Sequence, residues 1–156
     1  MQQAHVASNA GELERLRSIV SQATEHDLGQ ALSNGWTISA TLAHLAFWDR
    51  LVLARWEDAE KRGDLLPPVL DDAVQDLVNA AAIHQWRLLP ARIAGLEAIR
   101  AAEAVDAFLV RLTPAALSVA IVASRPALID RSIHRREHLD EIGRLLEAGR
   151  GARPGL

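Results

Sequence analysis

Apolar residues recur at intervals of three and four along most of the chain, which is the period of an α-helix with one buried face. This pattern predicts four long helices, the first ending near Leu32. The other three are expected over about residues 38–62, 92–112 and 126–149. The expected N-caps are Ser8 or Asn9 for the first helix, Thr37 for the second and Ser124 for the last, where Pro126 fits the first turn.

Shorter elements fill the intervals between the second and fourth long helices. A loop is expected from Gly63 to Leu70 because it contains Pro67-Pro68, and a short helix capped by Asp71 or Asp72 is expected to reach Trp86. Residues 115–124 are apolar and predict either a short helix or a packed loop. The sequence therefore predicts an all-α four-helix bundle with short extra helices, as a single domain over 1–156 with its core at about 8–148 and a loose tail at 149–156.

The amino-acid composition excludes several classes of protein. Hydrophobic residues make up 49% of the 156 residues and the formal net charge is −3, so the chain has neither a disordered composition nor a basic footprint for nucleic acid. No apolar run has the roughly 20 residues of a membrane span, and no signal peptide is visible, so a cytoplasmic protein is expected. The absence of cysteine excludes disulfides, thiolate ligands and a cysteine nucleophile.

Three of the six histidines form a pattern with chemical meaning. His134 and His138 are four residues apart, so on a helix their side chains lie one above the other and can face one metal ion. His44 lies at the edge of the apolar stripe of the second helix, and bundle metal sites use side chains from facing helices. Three neutral imidazoles plus water form a divalent-metal site with an open position.

Other interpretations of these residues stay open. An H-x-x-x-H spacing also arises by chance on a solvated helix, and a single histidine at a core margin is commonly a hydrogen-bonded core residue. His134-Arg135-Arg136-Glu137-His138 also matches the H-x-x-E-H pattern of inverzincin peptidases, but only 18 residues follow His138, where a further ligand would be needed.

Three segments resemble the DinB-like four-helix bundle superfamily over about residues 8–148. They are Trp36-Thr37-Ile38-Ser39-Ala40-Thr41-Leu42-Ala43-His44-Leu45-Ala46-Phe47-Trp48-Asp49, then Leu77-Val78-Asn79-Ala80 with Trp86-Arg87, then His134-Arg135-Arg136-Glu137-His138-Leu139-Asp140-Glu141-Ile142. The most similar type is the metal-binding domain of mycothiol-dependent maleylpyruvate isomerase. The resemblance implies that His44, His134 and His138 bind one divalent metal ion.

The resemblance also implies a class of reactions. Characterised members include isomerases and transferases that use the thiols mycothiol or bacillithiol, and a hydrolase. We therefore expect a metal-dependent thiol transferase or isomerase acting on a small electrophile, with zinc as the first metal and nickel as the second. Maleylpyruvate isomerisation itself is not expected, because that enzyme carries a further C-terminal domain. The alternatives are hydrolysis by metal-bound water and a metal-binding or ligand-sequestering module without catalysis.

Neighbouring residues supply candidates for the remaining roles. Glu141 and Glu137 are candidates for proton transfer. A solvated salt bridge is the commoner role for a residue such as Glu137, and a plain exposed side chain explains Glu141 at least as well. Trp48 and Arg55 flank His44 and are candidates for ligand binding, with Leu51 and Leu145 expected to join Trp48 in an apolar wall. Metal affinity is expected to fall below about pH 6, where histidines ordinarily gain a proton.

Two further expectations concern the second helix and the surface. Asp49 is the only charge on the inward side of the second helix, where it either hydrogen-bonds near the site or fills a packing gap. Exposed apolar surface on residues 115–124 predicts a homodimer.

Overall fold

The computed structural model describes residues 2–151, with side chains from residue 4, and within this range it contains seven α-helices and no strand. An all-α fold is therefore confirmed. The helices are α1 (Gln2–Gln22), α2 (Glu25–Leu28), α3 (Ile38–Arg62), α4 (Asp72–Trp86), α5 (Ala91–Leu109), α6 (Pro114–Val122) and α7 (Ser132–Gly151), with a short 3₁₀ segment (Pro126–Leu128) before α7.

The four longest helices pack around a common core. Helix α3 contacts α5 and α7, α1 contacts the same two helices from the other side, and α4 packs on α3. The centre of this core consists of side chains with almost no exposure: Leu16, Leu42, Leu45, Leu139 and Ile142. A second apolar cluster, containing Val52 and Trp56 of α3, lies against the end of α5, α6 and the 3₁₀ segment. Helices α3 and α7, which carry the three histidines of interest, are thereby held side by side.

Helix α3 has the bounds that the sequence predicts. The Thr37 hydroxyl accepts a hydrogen bond from the Ala40 amide at 3.1 Å, which satisfies one of the free N–H groups of the first turn. Gly63 ends the helix in the left-handed conformation at φ 76°, where glycine has no steric penalty. Local signals at both ends therefore place His44 on the second turn of a well-defined helix.

The predicted bounds of the first helix are wrong at both ends. Helix α1 begins at Gln2, so Ser8 and Asn9 lie inside it and do not cap it. It ends at Gln22 because Thr24 and Asp27 form a capping box that starts the separate short helix α2. Asn9 has a tertiary role: it is buried, and its amide donates to the Ile129 carbonyl and accepts from the Ser132 amide.

The predicted start and end of the last helix are also wrong. Pro126 opens only a 3₁₀ turn, and Ser124, at φ 53°, does not cap a helix. Helix α7 begins at Ser132, whose amide donates to the side chains of Asn9 and Asp130. It continues past Gly149 to Gly151, and the rest of the expected tail, 152–156, lies outside the described residues.

The connecting elements agree with the sequence more closely. Asp71 caps α4, and Thr113 caps α6, so the ambiguous apolar segment is a helix. Helix α5 ends at Leu109, three residues before the predicted end. Among the described residues no single helix is long and apolar enough to cross a membrane. Helix α6 leaves Ile121 and Val122 exposed, as the sequence predicts, and the homodimer stays a prediction.

Candidate metal centre

The three predicted histidines converge at one point between α3 and α7. His134 and His138 lie one turn apart on α7, and His44 faces them from α3. The Nε2 atoms of His44 and His134 are 3.0 Å apart, and one ring nitrogen from each histidine lies within 4.8 Å of the others. The three ring centroids are 4.8–5.0 Å apart in pairs, with edge-to-face orientations.

Aromatic side chains enclose His44. The rings of Trp36, Trp48 and Trp86 lie edge-to-face against its imidazole, with centroid distances of 5.4, 6.2 and 5.1 Å. Trp48 is itself fixed by a hydrogen bond from its Nε1 to Asn79 of α4 at 2.9 Å. These contacts leave His44 only 4% exposed and hold its ring towards α7.

Burial keeps all three imidazoles neutral. It lowers the pKa of His44 to about 3, and the positive charges of a protonated His138 and of Arg131 add to the effect. The same desolvation lowers the pKa of His134 and of His138. Neutral imidazole is the form that binds a metal ion, so the cluster is ready to act as a ligand at neutral pH.

The histidine cluster faces a cleft of about 410 Å³, which we call the histidine cleft. Its apolar lining consists of Trp36, Trp48, Ala127 and Ile133. Its polar lining consists of Asn34, Gln75, Asn79, Arg131 and Glu137, together with the three histidines. The cleft is open to solvent, so a small molecule can reach the histidines.

A buried ion-pair network fixes α7 against α3 beside the cluster. Asp49 of α3 accepts from Nε of Arg131 at 2.7 Å and from Arg135 at 2.9 Å. Arg135 also forms a two-pronged pair with Asp106 of α5, at 2.8 and 2.9 Å. Burial raises the pKa of Asp106 despite the opposing effect of Arg135. The prediction that Asp49 hydrogen-bonds near the site is confirmed.

Arg131 links this network to the histidines. Its Nη2 lies 3.2 Å from His134 Nδ1, and a guanidinium can only donate, so this ring nitrogen accepts. The ring proton of neutral His134 is then on Nε2, which donates to Nε2 of His44. His44 and His134 are therefore hydrogen-bonded to each other, and Arg131 sets the tautomer of His134.

The donor set fits a divalent metal ion. Three neutral imidazoles are a common ligand set for zinc, and bonds of 2.0–2.1 Å separate ligand nitrogens by about 3.3 Å in a tetrahedral shell. The 3.0 Å between Nε2 of His44 and His134 is close to that value, and a ring nitrogen of His138 lies within 4.8 Å of one from each of these histidines. Binding through Nε2 of His134 requires its proton to move to Nδ1, which in turn requires Arg131 to withdraw.

Comparisons of the chain with protein-family models, curated protein sequences and solved structures find no match.

The other predicted site residues lie in three places. Trp48 and the exposed Glu137 line the histidine cleft. Glu141 instead accepts hydrogen bonds from the amide and hydroxyl of Ser33, at 2.8 and 2.5 Å, and these bonds lower the pKa of its carboxyl. Arg55 lines a neighbouring cleft and donates to the Pro68 carbonyl at 2.6 Å.

The predicted apolar wall needs correction. Leu51 lines a separate cleft with Phe47 and Ile93, and Leu145 packs against the main core. Trp36, from the segment before α3, and Trp86 of α4 contact His44 instead. Leu51 lies two helical turns, about 10 Å, beyond His44 along α3, where it lines the cleft with Ile93 of α5.

Sequence reasoning missed Trp86 as a neighbour of His44 and Arg131 as a cleft residue. A signal for the α7 arginines was present: Arg135 falls on the apolar stripe that contains Leu139, Ile142 and Leu146. A charge on such a stripe requires a buried partner, and Asp49 is the inward-facing charge on α3. No comparable signal pointed to α4, whose position depends on how the loop 63–71 folds back.

The depressed pKa of His44 predicts a pH-dependent stability of the metal-free protein. The folded pKa of about 3 lies below the ordinary value near 6.5, so below pH 6.5 the unfolded chain binds a proton that the folded chain does not. The free energy of unfolding should fall by about 1.4 kcal/mol from this residue between pH 7.5 and 5.5, and His134 and His138 add to the loss.

Urea unfolding at several pH values, with chelator present, measures this effect. The His44→Gln protein should show a shallower pH dependence, by about 1.4 kcal/mol over the same interval. Equal slopes for the two proteins would show that His44 titrates normally in the folded state. Because burial keeps the ligands neutral, loss of metal should also begin below the pH of about 6 that isolated histidine predicts.

Removing Arg131 should strengthen metal binding. Arg131→Met deletes a positive charge next to the ion and frees Nδ1 of His134 to carry the ring proton, while Asp49 keeps its pair with Arg135. We expect the dissociation constant for zinc to fall about tenfold. Competition with a chelator measures it, and Arg136→Met, which removes an exposed α7 arginine paired with Glu12, is the control. Weaker binding by the Arg131 variant would contradict the tautomer assignment.

Proposed function

We propose that this protein is a divalent-metal-dependent enzyme with a DinB-like four-helix bundle fold. It transfers or isomerises small electrophiles with a low-molecular-weight thiol of the mycothiol or bacillithiol type as cosubstrate. The observation that carries the proposal is the convergence of three neutral imidazoles at the wall of an open cleft. Three protein ligands leave room at the ion for a further ligand from the cleft.

The chemistry assigned to the site follows from its donors. His44, His134 and His138 would hold the ion, which when bound acts as a Lewis acid that lowers the pKa of a thiol or of water. The chain has no cysteine, so a thiol must come from a cosubstrate. Water is the other small ligand that such an ion would activate, so a hydrolase is the near alternative.

The chain's own residues supply positioning. Trp36 and Trp48 give the cleft an apolar wall against which a small organic ligand loses its water. Asn79 and Gln75 present amide groups for orientation. Glu137 is the carboxylate among the described residues that line the cleft, and it is our candidate for accepting or returning a proton at the bound ligand.

A binding module without turnover is the second candidate. The observation that favours it is the engagement of Glu141 with Ser33, which removes one of the two predicted proton-transfer groups from the cleft. In that case the histidine cleft would hold a ligand through the ion, and Glu137 would transfer no proton to it.

An assay with and without thiols separates the candidates. Metal-loaded protein is given a panel of small electrophiles with mycothiol, bacillithiol, glutathione or no thiol, and melting temperatures are recorded in parallel. The enzyme proposal expects one thiol to raise the melting temperature and to support turnover that Glu137→Gln reduces about 100-fold. Turnover without any thiol identifies the hydrolase. If no thiol changes the melting temperature and no turnover is observed, the protein is the binding module.

A further inference from the structure

A second cleft of about 420 Å³ adjoins the histidine cleft, and we call it the arginine cleft. The two share four lining residues, so they lie next to each other. The shared residues are Trp48, Gln75, Ala127 and Arg131. The Nη2 atom of Arg131 is 3.2 Å from His134 Nδ1, so a molecule held at Arg131 lies beside the histidines.

Three arginines from separate parts of the chain line this cleft. Arg55 comes from α3, Arg125 from the segment before the 3₁₀ turn, and Arg131 from the segment before α7. Arg55 and Arg125 are half-buried, and Arg131 is only 4% exposed. Their convergence requires the loop at Pro67 and Pro68 to fold back between α3 and α6.

Backbone carbonyls hold two of these arginines in place without neutralising them. Arg55 donates one hydrogen bond to the Pro68 carbonyl, and Arg125 donates to the carbonyls of both Pro67 and Pro68. Among residues 4–151 neither guanidinium forms an ion pair with a carboxylate. Since each guanidinium has five N–H groups, Arg55 and Arg125 retain donors for another partner.

The arginine cleft therefore carries an excess of positive charge. Burial, together with repulsion from Arg125 and Arg131, lowers the pKa of Arg55, and burial lowers that of Arg125. Asp72 is the acidic residue among those that line the cleft; it is exposed and accepts from Gln75. Asp49 contacts Arg131 from the buried side and is shared with Arg135.

We propose that the arginine cleft binds the oxyanion of a small organic acid, a carboxylate or a phosphate, through Arg55, Arg125 and Arg131. Guanidinium groups match the planar or tetrahedral oxygens of these anions with paired, charge-assisted hydrogen bonds. Fixed carbonyl contacts reduce the entropy that the arginines lose on binding. The carbonyls of Pro67 and Pro68 already hold the guanidinium groups of Arg55 and Arg125 in place before an anion binds.

This site defines the substrate class of the proposed enzyme. With the anionic group held in the arginine cleft, the apolar face of Trp48 supports the body of the molecule, and its reactive end lies in the histidine cleft. The substrate is then a small electrophile that carries a carboxylate or phosphate. This statement about reactivity rests on the proposed function, whereas anion binding does not.

Binding to metal-free protein tests the site directly. Inorganic phosphate, succinate and the neutral analogue succinamide are titrated into ¹⁵N-labelled protein, and the signals of the arginine Nε–H groups and of the Trp48 Nε1–H group are followed. We expect saturable shifts of Arg55, Arg125, Arg131 and Trp48 with phosphate or succinate and none with succinamide. The tighter of the two anions identifies the ligand as a phosphate or a carboxylate.

Variants at the two half-buried arginines make the test specific. Arg55→Gln and Arg125→Gln should each weaken anion binding about tenfold, while Arg87→Gln, at an exposed arginine without an ion-pair partner among the described residues, should leave it unchanged. Equal affinities in all four proteins, or shifts spread over exposed arginines, would overturn the proposal. His138→Ala should keep the anion affinity, so failure of the metal site and failure of this site are distinguishable.

Discussion

We expect the His138→Ala protein to bind no stoichiometric divalent metal, whereas the unaltered protein binds one ion per chain. The variant keeps two of three ligands, and we expect its dissociation constant for zinc to rise at least about 100-fold. Even the loss of a group that only orients a metal ligand lowers metal affinity by about 10- to 100-fold, so the loss of a ligand itself should cost at least as much. The side chain is half-buried at the wall of a cleft, so its removal leaves the core unchanged.

Metal analysis of untagged protein and titration against a chelator measure this effect. His84→Ala is a matched control, because His84 is exposed on α4 and lies outside the cluster. Its metal content and affinity should equal those of the unaltered protein. One tightly bound equivalent in the His138 variant would show that the ligand assignment is wrong.

Asp49→Ala should destabilise the fold by about 3–5 kcal/mol. Asp49 pairs with Arg131 and Arg135, whose side chains are 5% and 0% exposed, and alanine would leave Arg131 without a carboxylate and Arg135 with Asp106 alone. An uncompensated buried charge costs far more than a lost surface contact. The free energy of unfolding in urea gives the magnitude.

An exposed ion pair supplies the comparison. Glu103→Ala removes one of the two carboxylates that pair with Arg17 on the surface, where pairs contribute about 0–1 kcal/mol. The Asp49 variant should therefore lose several times as much stability as the Glu103 variant. Similar losses in the two would mean that water or another group compensates the buried arginines.

The sequence correctly predicts the elements whose structure depends on residues that are close together along the chain. Helix α3 combines a threonine cap, an apolar stripe and a left-handed glycine, and each of these signals lies within the helix or next to it. The pairing of His134 with His138 likewise follows from helical spacing. His44 was placed correctly because its position at the stripe edge makes it face the neighbouring helix.

The predicted helix bounds and cleft residues are wrong where contacts between residues distant along the chain determine the structure. Helix α7 starts at Ser132 because Asn9 of α1 and Asp130 bind its first amide, and no local pattern reveals the contribution of Asn9. The capping box of Thr24 and Asp27 was visible in the sequence, but Leu28 continues the apolar period and conceals the break. The composition of both clefts depends on α4 and on the Pro67-Pro68 loop, which only the tertiary fold positions.

The aromatic surroundings of His44 give the protein an optical reporter of its own. The chain has four tryptophans and no tyrosine, and three of the four lie around this imidazole while Trp56 is buried in the second core cluster. Ion binding or protonation at His44 therefore changes the electric field at most of the chromophores that emit. Intrinsic fluorescence follows the state of the cluster without any label, and Trp56 contributes a background that does not respond.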